Sequence, residues 1–264
     1  MSYNGCRLTT TLSVFNVNPA SNWMEIETSG ADRKEIRPVG AAGISDIAGA
    51  FLTGLCLPAE ARALALSAPQ RALILGPAEE AHFQKLRCDK RRLDWLAGRA
   101  AAKRALRRYF RAVSGHEPDW RELEISADAQ GAPRCAVADA PFFYISHCAA
   151  GGLCAVGLGG RRIGTDWEMV AARSRELARF FAGPDELPPG QDDPRSQTSL
   201  WALKEAVLKL LGLGLAASPR DVATRPELHF IGRARARWIE LGRPRISQVS
   251  AHDDDAVAVV VHTQ

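Results

Sequence analysis

The sequence predicts an α+β protein built from two similar lobes, and three observations point there. The chain has 264 residues, 46% of them hydrophobic, enough for a sizeable core in one large domain or two small ones. Short alternating stretches typical of strands are interspersed with strongly periodic helical ones. Two of the helical stretches also resemble each other. "WLAGRAAAKRAL" from Trp95 and "WALKEAVLKLLG" from Trp201 share Trp, then Ala five later, then Lys eight later. This pairs Trp95 with Trp201, Ala100 with Ala206 and Lys103 with Lys209, and the order of the flanking elements repeats as well.

Residues 1–58 are weakly patterned and rich in Gly, Ala and Thr, and read as a leader of no assignable role. Residues 59–160 form an N-terminal lobe and 161–264 a C-terminal one. "PAEARALALSAPQRALIL" (58–75) reads as helical. A firmer helix covers 91–111, with an apolar stripe of Leu93, Leu96, Ala100, Leu106 and Phe110 and a basic opposite face. "ELEIS" (122–126) alternates as a strand does, and "AQGAP" (129–133) is a turn. "FFYISHCAAGGLCAVGL" (142–158) reads as a hairpin with Gly151 and Gly152 in its bend. "GLGGRRIGTDWE" supplies another turn and a third strand. "SRELARFF" (174–181) is a helix, and "GPDELPPGQDDPRSQ" (183–197) a polar, Pro-rich loop. "TSLWALKEAVLKLLGLG" (198–214) is a strong helix, capped by Thr198 or Ser199 and stopped by Gly212 and Gly214. "ARWIEL" and "AVAVVVH" read as late strands.

The formal net charge of +4 suits an anionic ligand or partner without naming one. Six cysteines form no CxxC pair and stand at no zinc-finger spacing from a His, which implies reduced, mostly buried thiols. The N-terminal stretch has one basic residue and no long apolar core, so no signal peptide is expected, and "AVAVVV" is far too short to span a bilayer. The expectation is a cytoplasmic protein.

The chemistry concentrates in four places. In "RRIGTDWEMV" (161–170), Asp166 and Glu168 point to one face of a strand and Trp167 to the other. Two like charges so placed are either the solvated end of a strand or a site for a hard cation such as Mg²⁺, which takes carboxylates together with a ligand's phosphates. Trp201, Glu205 and Lys209 form one helical stripe, apart from the apolar stripe of Leu200, Leu203, Val207 and Leu210. This is either an ordinary Glu–Lys pair or a third carboxylate beside an ammonium suited to phosphate. Ser146 and His147 end a strand and can hold a phosphate by hydrogen bonds. Lys90, Arg91, Arg99 and Lys103 on the basic helix offer further phosphate contacts.

In order along the chain, "LAGRAAAK", "GAPR", "ISHC", "IGTDWE", "FF…DEL" and "LWALKEAVLK" resemble the 4′-phosphopantetheinyl transferases, of the larger kind that activates peptide and polyketide synthases of secondary metabolism. The resemblance covers about residues 75–215. It implies two α+β lobes related by a pseudo-twofold axis. It also implies Mg²⁺-dependent transfer of phosphopantetheine from coenzyme A to a serine of an apo carrier protein, releasing adenosine 3′,5′-bisphosphate. By the same resemblance Asp166, Glu168 and Glu205 hold the metal. His147, with Lys90 or Arg91, meets the 3′-phosphate, and Lys209 meets the phosphate at the reacting end. Glu205 is the first choice of base, directly or through a water. Thr165, Trp167 and Cys148 depart from the usual residues at their positions. The partners implied are coenzyme A and a carrier protein, acting on a monomer, with no nucleic acid and no membrane. Two other readings compete: a relative that binds coenzyme A without catalysis, and a nucleic-acid-binding module built on the basic helix.

Overall fold

The structure, a computed structural model, describes residues 50–187 and 193–264. The leader up to residue 49 and the middle of the Pro-rich loop lie outside the described residues. In chain order the elements are β1 (Phe51–Cys56), α1 (Pro58–Leu66), α2 (Ala68–Ile74), α3 (Pro77–Lys85), α4 (Asp89–Ser114), β2 (Ile125–Ala127), β3 (Pro133–Cys135), β4 (Phe143–Cys148) and β5 (Gly151–Gly157). Then come β6 (Ile163–Met169), α5 (Arg175–Phe181), α6 (Pro194–Leu210), β7 (Val222–Ala223), β8 (His229–Phe230), α7 (Gly232–Glu240), β9 (Ile246–His252) and β10 (Ala256–Thr263). Among the described residues no helix is long and apolar enough to cross a membrane.

Two antiparallel three-stranded sheets form the frame, ordered β1-β5-β4 and β6-β10-β9. Each follows one plan: a strand, a long helix, a two-stranded ribbon, then a hairpin whose second strand takes the centre. The helices α4 and α6 cover the outer faces, and the inner faces pack on each other. The central strands therefore bury both sides. Cys154 and Val156 of β5 face α4, while Leu153 and Ala155 face the other sheet. In β10, Val257, Val259 and Val261 face α6, and Ala256, Ala258 and Val260 face inward. This two-sided burial is why "AVAVVV" is continuous rather than alternating.

Matched glycines show the duplication at close range. A Cβ on Gly54 of β1 would lie 2.2 Å from the Ala101 carbonyl oxygen, and one on Gly164 of β6 would lie 1.9 Å from that of Ala206. Both strands press directly on their helix. This equates Ala101 with Ala206, one residue out of step with the Trp95–Trp201 alignment, so Arg104, not Lys103, is the counterpart of Lys209. A second repeat went unread in the sequence. "GPAE" (76–79) and "GPDE" (183–186) each offer a Glu that accepts from the backbone N–H of its own Gly and from a buried lysine. Lys103 bonds Glu79 at 2.5 Å and the carbonyls of Ile74 and Trp120, and Lys204 bonds Glu186 at 2.6 Å and the carbonyl of Phe181.

Several local expectations need correction. The leader ends earlier than residue 58, since β1 pairs with β5 along Phe51–Cys56. The 58–75 helix is two helices broken at Ser67, whose hydroxyl caps the second. The β4–β5 bend falls at Ala149 and Ala150, not at the glycines. Gly151 and Gly152 lie in β5, where a Cβ would strike the carbonyl oxygens of Cys56 and Ala97. Helix α6 starts four residues early, capped by Asp193 rather than Thr198 or Ser199. "ARWIEL" is helical, because Ala234, Trp238 and Leu241 meet the core at helical spacing. The thiols are less hidden than expected: of five described cysteines, none paired in a disulfide, Cys56 and Cys154 are buried.

The basic face of α4 is not a free one. Lys103 is wholly buried, which removes it as a phosphate contact. Arg99 pairs with Glu79 and lies over the Trp95 ring, Arg104 pairs with Glu60, and Arg107 with Glu117. These four of the nine Lys and Arg of α4 are thus answered inside the first lobe.

Candidate active site

The site lies where the lobes meet, between β4 of the first and β6 and α6 of the second. In β6 the residues at 164, 166 and 168 share the face turned to α6. Gly164 brings the strand against the helix, and Asp166 and Glu168 follow where α6 presents Lys209, Glu205 and Trp201, four residues apart along one stripe. The expected carboxylate strand and the expected helix stripe are therefore brought together.

Asp166 is 3% exposed. Its Oδ1 accepts from Lys209 Nζ at 2.7 Å and from the Ser146 hydroxyl at 2.8 Å, while its Oδ2 is buried with no partner among the described residues. Lys209 also donates to the Thr165 carbonyl at 3.1 Å. Glu168 is half-buried. It accepts from Trp201 Nε1 at 3.2 Å and pairs with Arg173 at 3.7 Å. Burial pushes the Glu168 carboxyl above the usual range, and the Asp166 charge adds to the effect. Glu205 is 7% exposed, and its Oε1 has no partner among the described residues. Its carboxyl is raised by burial first; Lys209 opposes this, and Asp166 and Glu168 reinforce it. Asp166 and Glu205 thus share one ammonium, while Glu168 is also met by Arg173.

Among the described residues no group of three or more His, Cys, Asp or Glu stands ready-made to hold a metal ion. Trp201 and Arg173 hold Glu168 to one side. The donor set nevertheless fits a magnesium ion, because Asp166 Oδ2 and Glu205 Oε1 are buried acceptors without donors. Mg²⁺ needs only one or two carboxylates when phosphates supply further oxygens.

On the other bank, His147 follows Ser146 at the end of β4 and is half exposed. Burial holds its imidazole below the ordinary range; Asp94 opposes this, while Lys209 and Lys90 deepen it. Lys90 stands exposed on the first turn of α4 and bonds Asp94 at 2.6 Å, with Arg91 exposed beside it. Asp94, four residues on from Lys90, thus lies between Lys90 and His147, with its Oδ2 4.0 Å from the His147 Nδ1. Arg99, two turns further, is turned into the first lobe.

Asp94 and Arg173 were not singled out from the sequence, and the part Trp201 plays was not read from it. Asp94 was legible as the i+4 partner of Lys90. Trp201 was seen in the stripe but not as a donor to Glu168. Arg173 follows β6 in irregular chain, and no local pattern marks it.

The two lobes do not carry two such sites. With Gly54 matched to Gly164 and Ala101 to Ala206, the first-lobe counterparts of Asp166, Glu205 and Lys209 are Cys56, Ala100 and Arg104. Arg104 keeps the backbone bond of Lys209, donating to the Leu55 carbonyl as Lys209 donates to that of Thr165. Neither matched carboxylate position carries a carboxylate.

A family model described as the 4′-phosphopantetheinyl transferase superfamily matches residues 162–261. A holo-[acyl-carrier-protein] synthase of Bacillus velezensis is 39% identical over 80 residues, 30% of this chain and 64% of that protein. The chain thus spans a little under two thirds of that relative's length. The crystal structure of a holo-(acyl-carrier-protein) synthase from Bacillus anthracis str. Ames, in complex with CoA (3′,5′-ADP), is 22% identical, with a TM-score of 0.34. That match covers 41% of this chain and 93% of that one. The segment bearing β6, α6 and β10, with Asp166, Glu168, Glu205 and Lys209, is therefore similar to the 4′-phosphopantetheinyl transferase superfamily, the family that the sequence motifs resemble.

Proposed function

We propose that this protein transfers the 4′-phosphopantetheine group from coenzyme A to a serine hydroxyl of an apo carrier protein, releasing adenosine 3′,5′-bisphosphate, and that Mg²⁺ is required. The observation that carries this reading is a pair of buried, partnerless carboxylate oxygens, Asp166 Oδ2 and Glu205 Oε1, beside the Lys209 ammonium. Such oxygens cost free energy unless a cation meets them. Mg²⁺ held there by Asp166 and Glu205, with Glu168 alongside, would offset the charge gathering on the diphosphate.

The chain's own groups divide the remaining work. Lys209 has three N–H donors. Two are spent on Thr165 and Asp166, which leaves one for the diphosphate. His147, Lys90 and Arg91 stand on the exposed bank, where a 3′-phosphate can be met without burial. Glu205, a carboxylate beside the metal, is the base, acting directly or through a water. It takes the proton of the carrier serine as that oxygen bonds the phosphorus and the adenosine bisphosphate departs. Both banks of the junction come from one chain, so a monomer suffices.

The test is a panel of apo carrier proteins incubated with coenzyme A and Mg²⁺ and read by intact mass. At least one should gain phosphopantetheine, and chelation should abolish the gain. His147→Ala should raise the KM for coenzyme A about tenfold or more, and that for dephospho-coenzyme A far less, as expected for a charge-assisted contact worth about 1.5–3 kcal/mol. Coenzyme binding with no mass gain in any carrier would instead mark a non-catalytic relative.

A further inference from the structure

Ser146 lies near the end of β4, one residue before His147, and its sequence position suggested a phosphate contact. In the fold its hydroxyl is already committed. It donates to Asp166 Oδ1 at 2.8 Å and accepts the Trp167 backbone N–H at 3.1 Å, in a residue only 6% exposed. The first bond crosses from one lobe to the other. The second satisfies a backbone donor on the edge of β6, since β6 pairs with β10 alone in its sheet.

The bonds to Asp166 are lopsided. Oδ1 accepts from both Ser146 and Lys209, and Oδ2, equally enclosed, accepts from nothing. A carboxylate whose one oxygen is pinned by two donors cannot turn about its Cβ–Cγ bond without breaking both bonds. Lys209 alone would pin it poorly. Its ammonium sits on a flexible four-carbon stem and is shared with the Thr165 carbonyl. The Ser146 hydroxyl, one rotor from a strand backbone and fixed from behind by the Trp167 N–H, is the stiff member of the pair.

We infer that Ser146 is a positioning residue: it holds Asp166 so that Oδ2 is presented to a divalent cation, and it does not itself touch the coenzyme. This rests on the proposed function for the identity of the cation. Its test separates the two.

Mn²⁺ serves as a probe that can be counted. The free-ion EPR signal is titrated against wild type, Ser146→Ala and Ser146→Thr at saturating coenzyme A, with Tm measured alongside. Ser146→Ala should weaken Mn²⁺ binding by about 10- to 100-fold, the usual cost of losing an outer-shell partner. It should raise the KM for coenzyme A and dephospho-coenzyme A by the same factor. Ser146→Thr keeps the hydroxyl and should bring both back to near wild type. If Ser146→Ala does not stay folded, Ser146→Cys, a weaker donor of similar size, takes its place and should fall below Ser146→Thr. Undiminished Mn²⁺ affinity in Ser146→Ala overturns the inference. So does a loss confined to coenzyme A over its dephospho form, which would put the hydroxyl on the 3′-phosphate. A wild type that binds no Mn²⁺ with coenzyme A defeats the proposed function. A wild type that binds Mn²⁺ and transfers, beside a Ser146→Ala that does both equally well, defeats the role of Ser146 alone.

Discussion

Glu205 has an enclosed oxygen with no partner and two carboxylates for neighbours, so its charge is a burden in the metal-free protein. Glu205→Gln removes that charge and keeps the shape. Without metal the variant should melt no lower than wild type. At saturating Mg²⁺ its kcat should remain down by about 10²- to 10⁴-fold, the contribution of a positioned base. Recovery of kcat by excess Mg²⁺ would leave Glu205 as a ligand and nothing more. The residue types of the site were legible in the sequence: strand alternation put Asp166 and Glu168 on one face, and helical spacing aligned Glu205 with Lys209. Their actual partners were not. Ser146, Trp201 and Arg173 reach them across 20 to 33 positions of chain or from irregular backbone, where no local period reports a contact.

At the scale of elements, close approach of strand to helix sets the site. Gly54 and Gly164 let β1 and β6 touch their helices, and a Cβ on either would overlap backbone atoms that cannot swing aside. Gly54→Ala lies on the face without catalytic groups, so it isolates the packing effect. It should cost about 1–3 kcal/mol, the usual range for overpacking, and lower Tm by several degrees. The activity of the surviving folded protein should stay near wild type. An unchanged Tm would show that β1 can lift from α4 freely. The strong elements, α4, α6, β6 and β10, were legible because long runs of one period outvote local noise. Two of the failures had short signals. In α7, "ARWIEL" spans too few residues for strand and helix periods to part, and the contacts of Trp238 and Leu241 decide it. In the β4–β5 hairpin, a Gly pair that resembles a turn is there to let β5 pass α4 and β1.

At the scale of the molecule, each lobe pins its long helix to the preceding segment with a buried lysine and a Glu of a G-P-x-E turn. Lys204 and Glu186 are the second-lobe pair, both all but fully buried. Burial alone would raise the Glu186 carboxyl, but Lys204, the Gly183 N–H and Thr224 outweigh it, and the net shift is downward. A lowered carboxylate stabilises the fold above the ordinary Glu range, and that stability is lost as pH falls through its depressed value. Denaturation midpoints followed from neutral pH downward should therefore fall below the ordinary Glu range. Glu186→Gln should be less stable at neutral pH and show a shallower acid limb. Lys204→Ala should lose about 3–5 kcal/mol, the cost of stranding a buried charge. An acid limb unchanged in Glu186→Gln would place the pH dependence elsewhere. Lys204 stands next to Glu205 and shares nothing with its chemistry, and sequence adjacency alone could not reveal that. The duplication itself was legible in outline, from repeated element order, but its register was one residue off, because Ala and Lys recur in any helix. The first lobe, with Cys56, Ala100 and Arg104 in place of Asp166, Glu205 and Lys209, has a further consequence. A symmetric pair of lobes would offer an incoming molecule two equivalent doors, and it could stall at either. Here the matching door is furnished with a guanidinium already bound to Glu60 and a thiol that burial pushes up to about 12, so it has nothing to offer a cation or a nucleophile. The molecule keeps the rigidity of a doubled frame and gives its visitors a single address.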